Sequence, residues 1–200
     1  SWTTNKDGIA KTETKLAAGK YKVDEIKIPT GFIQMDKELT FDVNNRNKTL
    51  EYDKDLDAWI TVTIQNEQPK GKLNLTKKID LRKDVDKTLI KDIDFTKISF
   101  ELVASENILD YADGSVIYAK DTVIGKYNLN KEGKLTVDKL PMGKYFLREI
   151  TTIDGAVLDQ TKHDVIFEQT DTKTKEYVLD MKLFSEFIQN SAVVLYTTYR

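Results

Sequence analysis

The chain has 200 residues, no cysteine, and 31 Lys plus Arg against 33 Asp plus Glu. The missing cysteines exclude disulfides and thiolate zinc sites, and the balanced charge gives no electrostatic reason to expect nucleic acid or a membrane surface as partner. With 40% hydrophobic and 32% charged residues, the chain can build a packed core beneath a heavily solvated surface, in one large or two modest domains.

From its start the sequence reads as strands and turns. Ser1-Trp2-Thr3-Thr4 opens without methionine, which points to an excised fragment of a longer protein. No leader, long apolar run or lipidation motif is read in these residues, which is expected of either a cytosolic protein or such a fragment. Asp7-Gly8 marks a turn. Gly19-Lys20-Tyr21-Lys22-Val23-Asp24-Glu25-Ile26 follows, and then a second turn at Thr30-Gly31. Trp59 to Ile64 alternates apolar and polar residues, as do Leu73 to Leu75, Ile98 to Leu102 and Leu135 to Val137. A two-residue period rich in Thr, Val, Ile and Tyr predicts half-buried antiparallel strands. Asp113-Gly114, Glu132-Gly133 and Asp154-Gly155 are further turn signals. The charged stretch from Asp80 to Asp94, with Leu and Ile spaced through it, reads as a surface loop or a short helix.

The chain also repeats itself. Gly19 to Ile26 resembles Gly143-Lys144-Tyr145-Phe146-Leu147-Arg148-Glu149-Ile150. Upstream, Asn5-Lys6-Asp7-Gly8 matches Asn130-Lys131-Glu132-Gly133, with one residue inserted before the strand. Downstream, Thr30-Gly31 matches Asp154-Gly155, and Ile64-Gln65-Asn66 matches Ile188-Gln189-Asn190. The offset is constant from Gly19 to Asn66, which argues for duplication. It divides the chain into residues 1–67, the C-terminal part of a first unit, and residues 68–190, a complete unit of ordinary sandwich size. Glu67-Gln68-Pro69-Lys70-Gly71 is the linker. Residues 191–200 are a tail or the opening strand of a further unit. A half sandwich exposes its core and strand edges, so the first unit is expected to continue upstream or to be covered by something else.

Residues 71–190 resemble the Cna-B type repeats of Gram-positive adhesins and pilus shafts. Gly71-Lys72-Leu73-Asn74-Leu75-Thr76-Lys77 looks like that family's first strand. Leu140-Pro141-Met142-Gly143-Lys144-Tyr145-Phe146-Leu147-Arg148-Glu149 looks like its Leu-Pro-x-Gly-x-Tyr strand, with the Asp154-Gly155 turn following. The resemblance extends to the first unit from about Lys6 to Asn66. It implies an all-β, immunoglobulin-like (prealbumin-like) sandwich, one complete and one partial. It further implies an intramolecular isopeptide bond between a first-strand lysine and a last-strand asparagine, assisted by a buried glutamate. By position these are Lys77, Asn190 and Glu149. In the first unit Glu25 and Asn66 match, but their lysine strand is missing.

The chemistry follows from burial. An apolar core disfavours a charged amine and a charged carboxylate alike. A neutral carboxylic acid can polarise the asparagine carbonyl and carry a proton from the attacking amine to the leaving ammonia. Groups held in place by folding react at effective molarities of about 10⁵ M or more. The bond would form once per molecule. By analogy with a disulfide it would contribute about 2–4 kcal/mol, and no reductant would open it.

Competing readings bear on each residue. Lys78 is the opposite-facing alternative to Lys77. Glu149 shares parity with Tyr145 and Leu147, which favours an inward face, although a surface ion pair is the simpler role. The approach to Asn190 matches the first unit poorly, since Phe184-Ser185-Glu186-Phe187 stands where Ile60-Thr61-Val62-Thr63 does. An earlier register, with Tyr177 to Leu183 as last strand, would put Leu183 at the asparagine position, and no bond would form. His163, the single histidine, has no histidine or cysteine nearby for a metal. No Ca²⁺-loop, Gly-x-Ser-x-Gly, Walker or Rossmann motif occurs.

The expected role is therefore a non-enzymatic structural stalk or pilin-like repeat of a cell-wall adhesin. Its neighbours would be repeats of the same protein, and it would need no cofactor, nucleic acid or membrane insertion. The alternative is a secreted module that binds a host or matrix ligand through its loops.

Overall fold

The computed structural model describes residues 1–12, 15–34, 38–44, 50–52, 58–80 and 93–186. The chain forms two compact units. One comprises Ser1–Ile28 with Gln34–Glu67, the other Pro29–Ile33 with Gln68–Arg200. The short Pro29–Ile33 segment thus belongs with the second unit, where Ile33 is buried and Gln169 Nε2 donates to the Phe32 carbonyl at 2.8 Å.

The second unit is an all-β sandwich. Its strands are β5 (Lys70–Asp80), β6 (Ser99–Ala104), β7 (Ile108–Leu109), β8 (Val116–Tyr118), β9 (Val123–Asn128), β10 (Lys134–Leu140), β11 (Gly143–Thr151), β12 (His163–Phe167) and β13 (Glu176–Glu186). One sheet runs β10-β5-β13 and the other β12-β11-β6-β9. The alternation read from the sequence is what makes the two sheets pack: Leu73 and Leu75 from β5, Phe100 and Leu102 from β6, Leu135 and Val137 from β10, and Tyr145 and Leu147 from β11 all lie in one core cluster. Among the described residues the helical element is a 3₁₀ turn at Phe95–Lys97, capped by Asp94. Residues 81–92 of the charged stretch lie outside the described set.

One pairing departs from the antiparallel rule. β13 lies parallel to β5 along its whole length, from Glu176↔Lys70 to Glu186↔Asp80. The first and last described strands of the unit are therefore neighbours in one sheet, β5 at its centre and β13 at its edge.

The first unit holds β1 (Gly19–Val23), β2 (Leu39–Val43), β3 (Leu50–Tyr52) and β4 (Ala58–Ile60). Its details repeat those of the second. β1 pairs β2 from Gly19↔Val43 to Val23↔Leu39, and β11 pairs β12 from Gly143↔Phe167 to Leu147↔His163, the same register at one offset. The Tyr21 hydroxyl donates to the Ala17 carbonyl at 2.8 Å, as Tyr145 does to Pro141 at 2.7 Å. The Asn5 side chain accepts from the amides of Asp7 and Ile9, and Asn130 from those of Glu132 and Lys134.

The strand expected over Trp59 to Ile64 is shorter than its pattern, since β4 ends at Ile60. In the second unit the long strand β13 is supported by β5 alongside; among the described residues of the first unit β4 pairs with β3 from Leu50↔Ile60 to Tyr52↔Ala58. Backbone amides without a neighbouring strand do not build a ladder.

Tyr145 is fully buried, and burial pushes its phenol up, well above the ordinary tyrosine range. Its hydroxyl must therefore stay a neutral donor to Pro141. Tyr145→Phe is expected to cost about 1 kcal/mol, plus the penalty of a stranded carbonyl, measurable by urea denaturation.

Candidate isopeptide site

On β5 the inward positions are Leu73, Leu75 and Lys77, all at most 1% exposed. Lys78 faces solvent. Strand parity thus carries the lysine into the core in place of an aliphatic side chain. On β11 the inward residues are Tyr145, Leu147 and Glu149. Because β5 and β11 belong to opposite sheets, their two polar side chains meet across the sandwich. Lys77 Nζ lies 2.7 Å from Glu149 Oε2, with both side chains fully shielded. The ammonium also sits 5.7 Å from the centre of the Phe100 ring, within cation–π range.

The pair is incompletely satisfied. Glu149 Oε1 is buried and has no hydrogen-bond partner, and the same is true of Ser185 Oγ on β13. Such orphaned atoms are uncommon in a native core. The β13 residue directly across from Lys77 is Leu183, itself buried. This is the earlier of the two registers open to the last strand, with leucine at the asparagine position. Asn190 and the tail 191–200 lie outside the described residues.

The N–H of Lys77 donates to the Gly133 carbonyl at 2.8 Å. Gly133 has φ +72°, and a Cβ there would stand 2.8 Å from the Lys77 carbonyl oxygen. The turn recognised in the sequence as Glu132-Gly133 therefore sets the height of Lys77. Gly133→Ala is expected to destabilise the second unit by about 1–2 kcal/mol through the left-handed backbone alone, with a thermal-melting shift as the readout.

In the first unit, Glu25 and Asn66, 41 positions apart in the sequence, come together: Asn66 Nδ2 donates to Glu25 Oε1 at 3.1 Å. Glu25 Oε2 and Asn66 Oδ1 are buried without partners. Each unit thus displays a different half of the expected arrangement. One carboxyl holds a lysine amine, the other an asparagine amide, and each keeps one oxygen unfilled.

Two polar contacts escaped sequence reasoning. Glu101 on β6 is 4% exposed and accepts from Arg148, its cross-strand partner; only the pairing of β6 with β11 shows this. Gln68 Nε2 donates to Asp110 Oδ1 at 2.6 Å. His163 Nε2 meets Asp159 Oδ2 at 2.7 Å, and among the described residues no group of three His, Cys, Asp or Glu is arranged for a metal. No helix among them is long and apolar enough to cross a membrane.

Comparison with known proteins agrees with this architecture. The model of the SpaA prealbumin-like fold domain matches residues 1–58 and 77–181. The chain belongs to the SpaA prealbumin-like domain family. Its domains are structural rather than enzymatic. No curated protein sequence matches the chain. Among solved structures, the TIE protein of Bacillus anthracis aligns over 93% of this chain and 28% of its own, with a TM-score of 0.57 and 19% identity. The minor pilin GBS52 of Streptococcus agalactiae aligns over 98% of this chain and 71% of its own, with a TM-score of 0.41 and 16% identity. The major pilin SpaA of Corynebacterium diphtheriae, described as having stabilising isopeptide bonds, aligns over 58% of this chain and 30% of its own, with a TM-score of 0.41 and 16% identity. The chain thus spans about a quarter of the TIE protein and just over half of the group B streptococcus pilus 2b backbone protein, another it resembles.

Proposed function

We propose that this SpaA-family chain is a load-bearing stalk segment of a Gram-positive surface fibre, working beside similar repeats. The observation that carries this reading is the parallel β5–β13 pairing. Both strands are 11 residues long, and they run in the same direction side by side. Tension entering at Lys70 and leaving at Glu186 therefore pulls them past each other along their length. Rupture then requires many ladder hydrogen bonds to fail together, whereas pulling from adjacent strand ends opens them one at a time.

Within this clamp, Lys77 and Glu149 act as a buried ion pair linking the two sheets, and in this register Leu183, not an asparagine, lies across from Lys77. The register supports this. To bring Asn190 opposite Lys77, β13 must slide by an odd number of residues, which turns every side chain to the other face. Tyr177, Leu179 and Met181 would leave their places against the core, where they now pack, and Glu186 would enter opposite Leu73. An unpaired buried carboxylate costs several kcal/mol. The observed register keeps the apolar alternation of β13 facing inward.

The stalk reading is tested by pulling single molecules through cysteines introduced at the ends of residues 68–186. End-to-end loading is expected to need several-fold more force than loading from one end of the β5–β13 pair. Equal forces in the two geometries would remove the basis for a load-bearing role.

A further inference from the structure

We infer that the Ile153–Val157 turn is a docking plug for another unit of this kind: its partner is the seat, built around Tyr111 and Gln169, that Pro29–Ile33 already fills in this chain. Such a joint is where repeats of the stalk would meet, and in that use it rests on the stalk reading.

The filled seat defines what it recognises. Pro29–Ile33 belongs to the second compact unit. The Phe32 amide donates to the Pro29 carbonyl at 3.2 Å, closing the turn, and Gly31 stands at φ +87°. Gly31 lies so close to the Tyr111 ring that a Cβ would collide with it. Gln169 Nε2 donates to the Phe32 carbonyl at 2.8 Å and to the Asp171 carbonyl at 2.9 Å, so the side-chain amide is held in place. Asp110, next to Tyr111, accepts from the Ala112 amide at 2.8 Å and from Gln68 Nε2 at 2.6 Å, which fixes the loop that carries the ring. In this setting Ile33 is 2% exposed.

The repeat supplies a second turn of the same build. Thr30-Gly31 corresponds to Asp154-Gly155, and at that offset Pro29, Phe32 and Ile33 correspond to Ile153, Ala156 and Val157. The geometry corresponds as well. The Ala156 amide donates to the Ile153 carbonyl at 3.1 Å, and Gly155 stands at φ +84°, a conformation that glycine adopts without strain. The two turns differ in burial: Val157 is 46% exposed where Ile33 is 2%. The second turn thus presents outward what the first one buries. Its glycine matches the one a tyrosine ring approaches, its Ala156 carbonyl the one an amide donor reaches, and Val157 the aliphatic side chain one residue on.

A turn on one unit and a seat on another make a heterologous contact, which propagates head to tail instead of closing a dimer. It involves few residues and is weak between free chains. Tethered neighbours meet at effective concentrations of about 1 mM, where a weak joint is populated.

The test mixes two full-length chains at about 1 mM, the concentration at which such a joint acts. One carries Ile33→Asp with Val157→Asp, and so has an open seat and no plug. The other is the unmodified chain, with its plug exposed and its own seat filled. Gly31→Val in place of Ile33→Asp opens the seat by a second route, through collision with Tyr111. Seat opening reads out as a shift of the Gln169 side-chain amide resonances. Mixing is expected to give a 1:1 complex by sedimentation and to return the Gln169 resonances toward their unmodified positions. Val157→Asp in the plug chain, or Tyr111→Ala in the seat chain, should weaken association by about 10-fold or more, as a carboxylate replaces a buried aliphatic group or the ring is lost. No association between folded chains would overturn the plug, as would a complex that survives both substitutions. Gln169 resonances unmoved by either opening variant would overturn the seat. The forces measured across the β5–β13 pair are independent of all these outcomes, so failure of the joint is distinguishable from failure of the stalk reading.

Discussion

Lys77→Ala is expected to destabilise the second unit by about 3–5 kcal/mol, because it strands the Glu149 carboxylate in the core with no cation. For a domain of this size that corresponds to a melting shift of more than about 10 °C. Glu149→Ala should cost a similar amount, leaving the Lys77 ammonium against the Phe100 ring alone. The informative variant is the double substitution Lys77→Met with Glu149→Leu. Removing both charges and refilling the volume with apolar atoms should recover most of the loss, since a buried ion pair contributes little beyond what well-packed hydrophobic side chains would. Differential scanning calorimetry of the four proteins closes the cycle. A coupling energy near zero would mean that the two groups are solvated independently, against the fully shielded 2.7 Å contact.

The second expectation is a gain of chemistry. Leu183 lies directly across from Lys77 on the neighbouring parallel strand, and Glu149 already holds the amine while keeping one oxygen unfilled. Leu183→Asn should supply the missing acceptor. The purified variant is expected to lose one ammonia on folding, in a reaction that stops when Lys77 or Glu149 is also replaced. The new link would close a loop of more than 100 residues, so its stabilisation, by the loop-entropy relation used for disulfides, is about 4–5 kcal/mol. Against this stands the loss of a buried leucine, about 2–5 kcal/mol if the amide packs poorly. Thermal stability alone is therefore a weak readout, and mass is the strong one. Reduced stability with full mass would show that position 183 is not the acceptor seat.

What was legible in the sequence depended on local rules. Alternation in Leu73-Asn74-Leu75-Thr76-Lys77 correctly turned Lys77 inward and Lys78 outward, because strand parity needs no tertiary knowledge. The Asn5 and Asn130 turns, and the equivalence of Gly19 with Gly143, were visible as repeats, and the structure reproduces both down to strand register. The boundary near residue 67 was marked by Pro and Gly, but the attachment of Pro29–Ile33 to the second unit was not, since a buried Ile33 leaves no periodic signal in so short a segment. The last strand was ambiguous for a physical reason. Two adjacent stretches compete for it: Tyr177 to Leu183 alternates apolar residues, Phe184 to Asn190 carries the constant repeat offset, and only pairing with β5 discriminates between them. The Arg148–Glu101 contact likewise depends on long-range register.

The exposed apolar residues of the β7–β8 region, Leu109, Tyr111, Val116 and Ile117, are what the alternative reading as a ligand-binding adhesin module would draw on. None of them belongs to β5 or β13, and their removal should leave the mechanical behaviour of the β5–β13 pair unchanged.

The most direct test of the non-covalent clamp is the intact mass of the folded, unmodified chain. The account expects the full sequence mass, identical before and after Lys77→Ala apart from the substitution itself. A chain lighter by one ammonia, with the missing nitrogen mapped to a Lys77–Asn190 link, would contradict the register and the ion pair together.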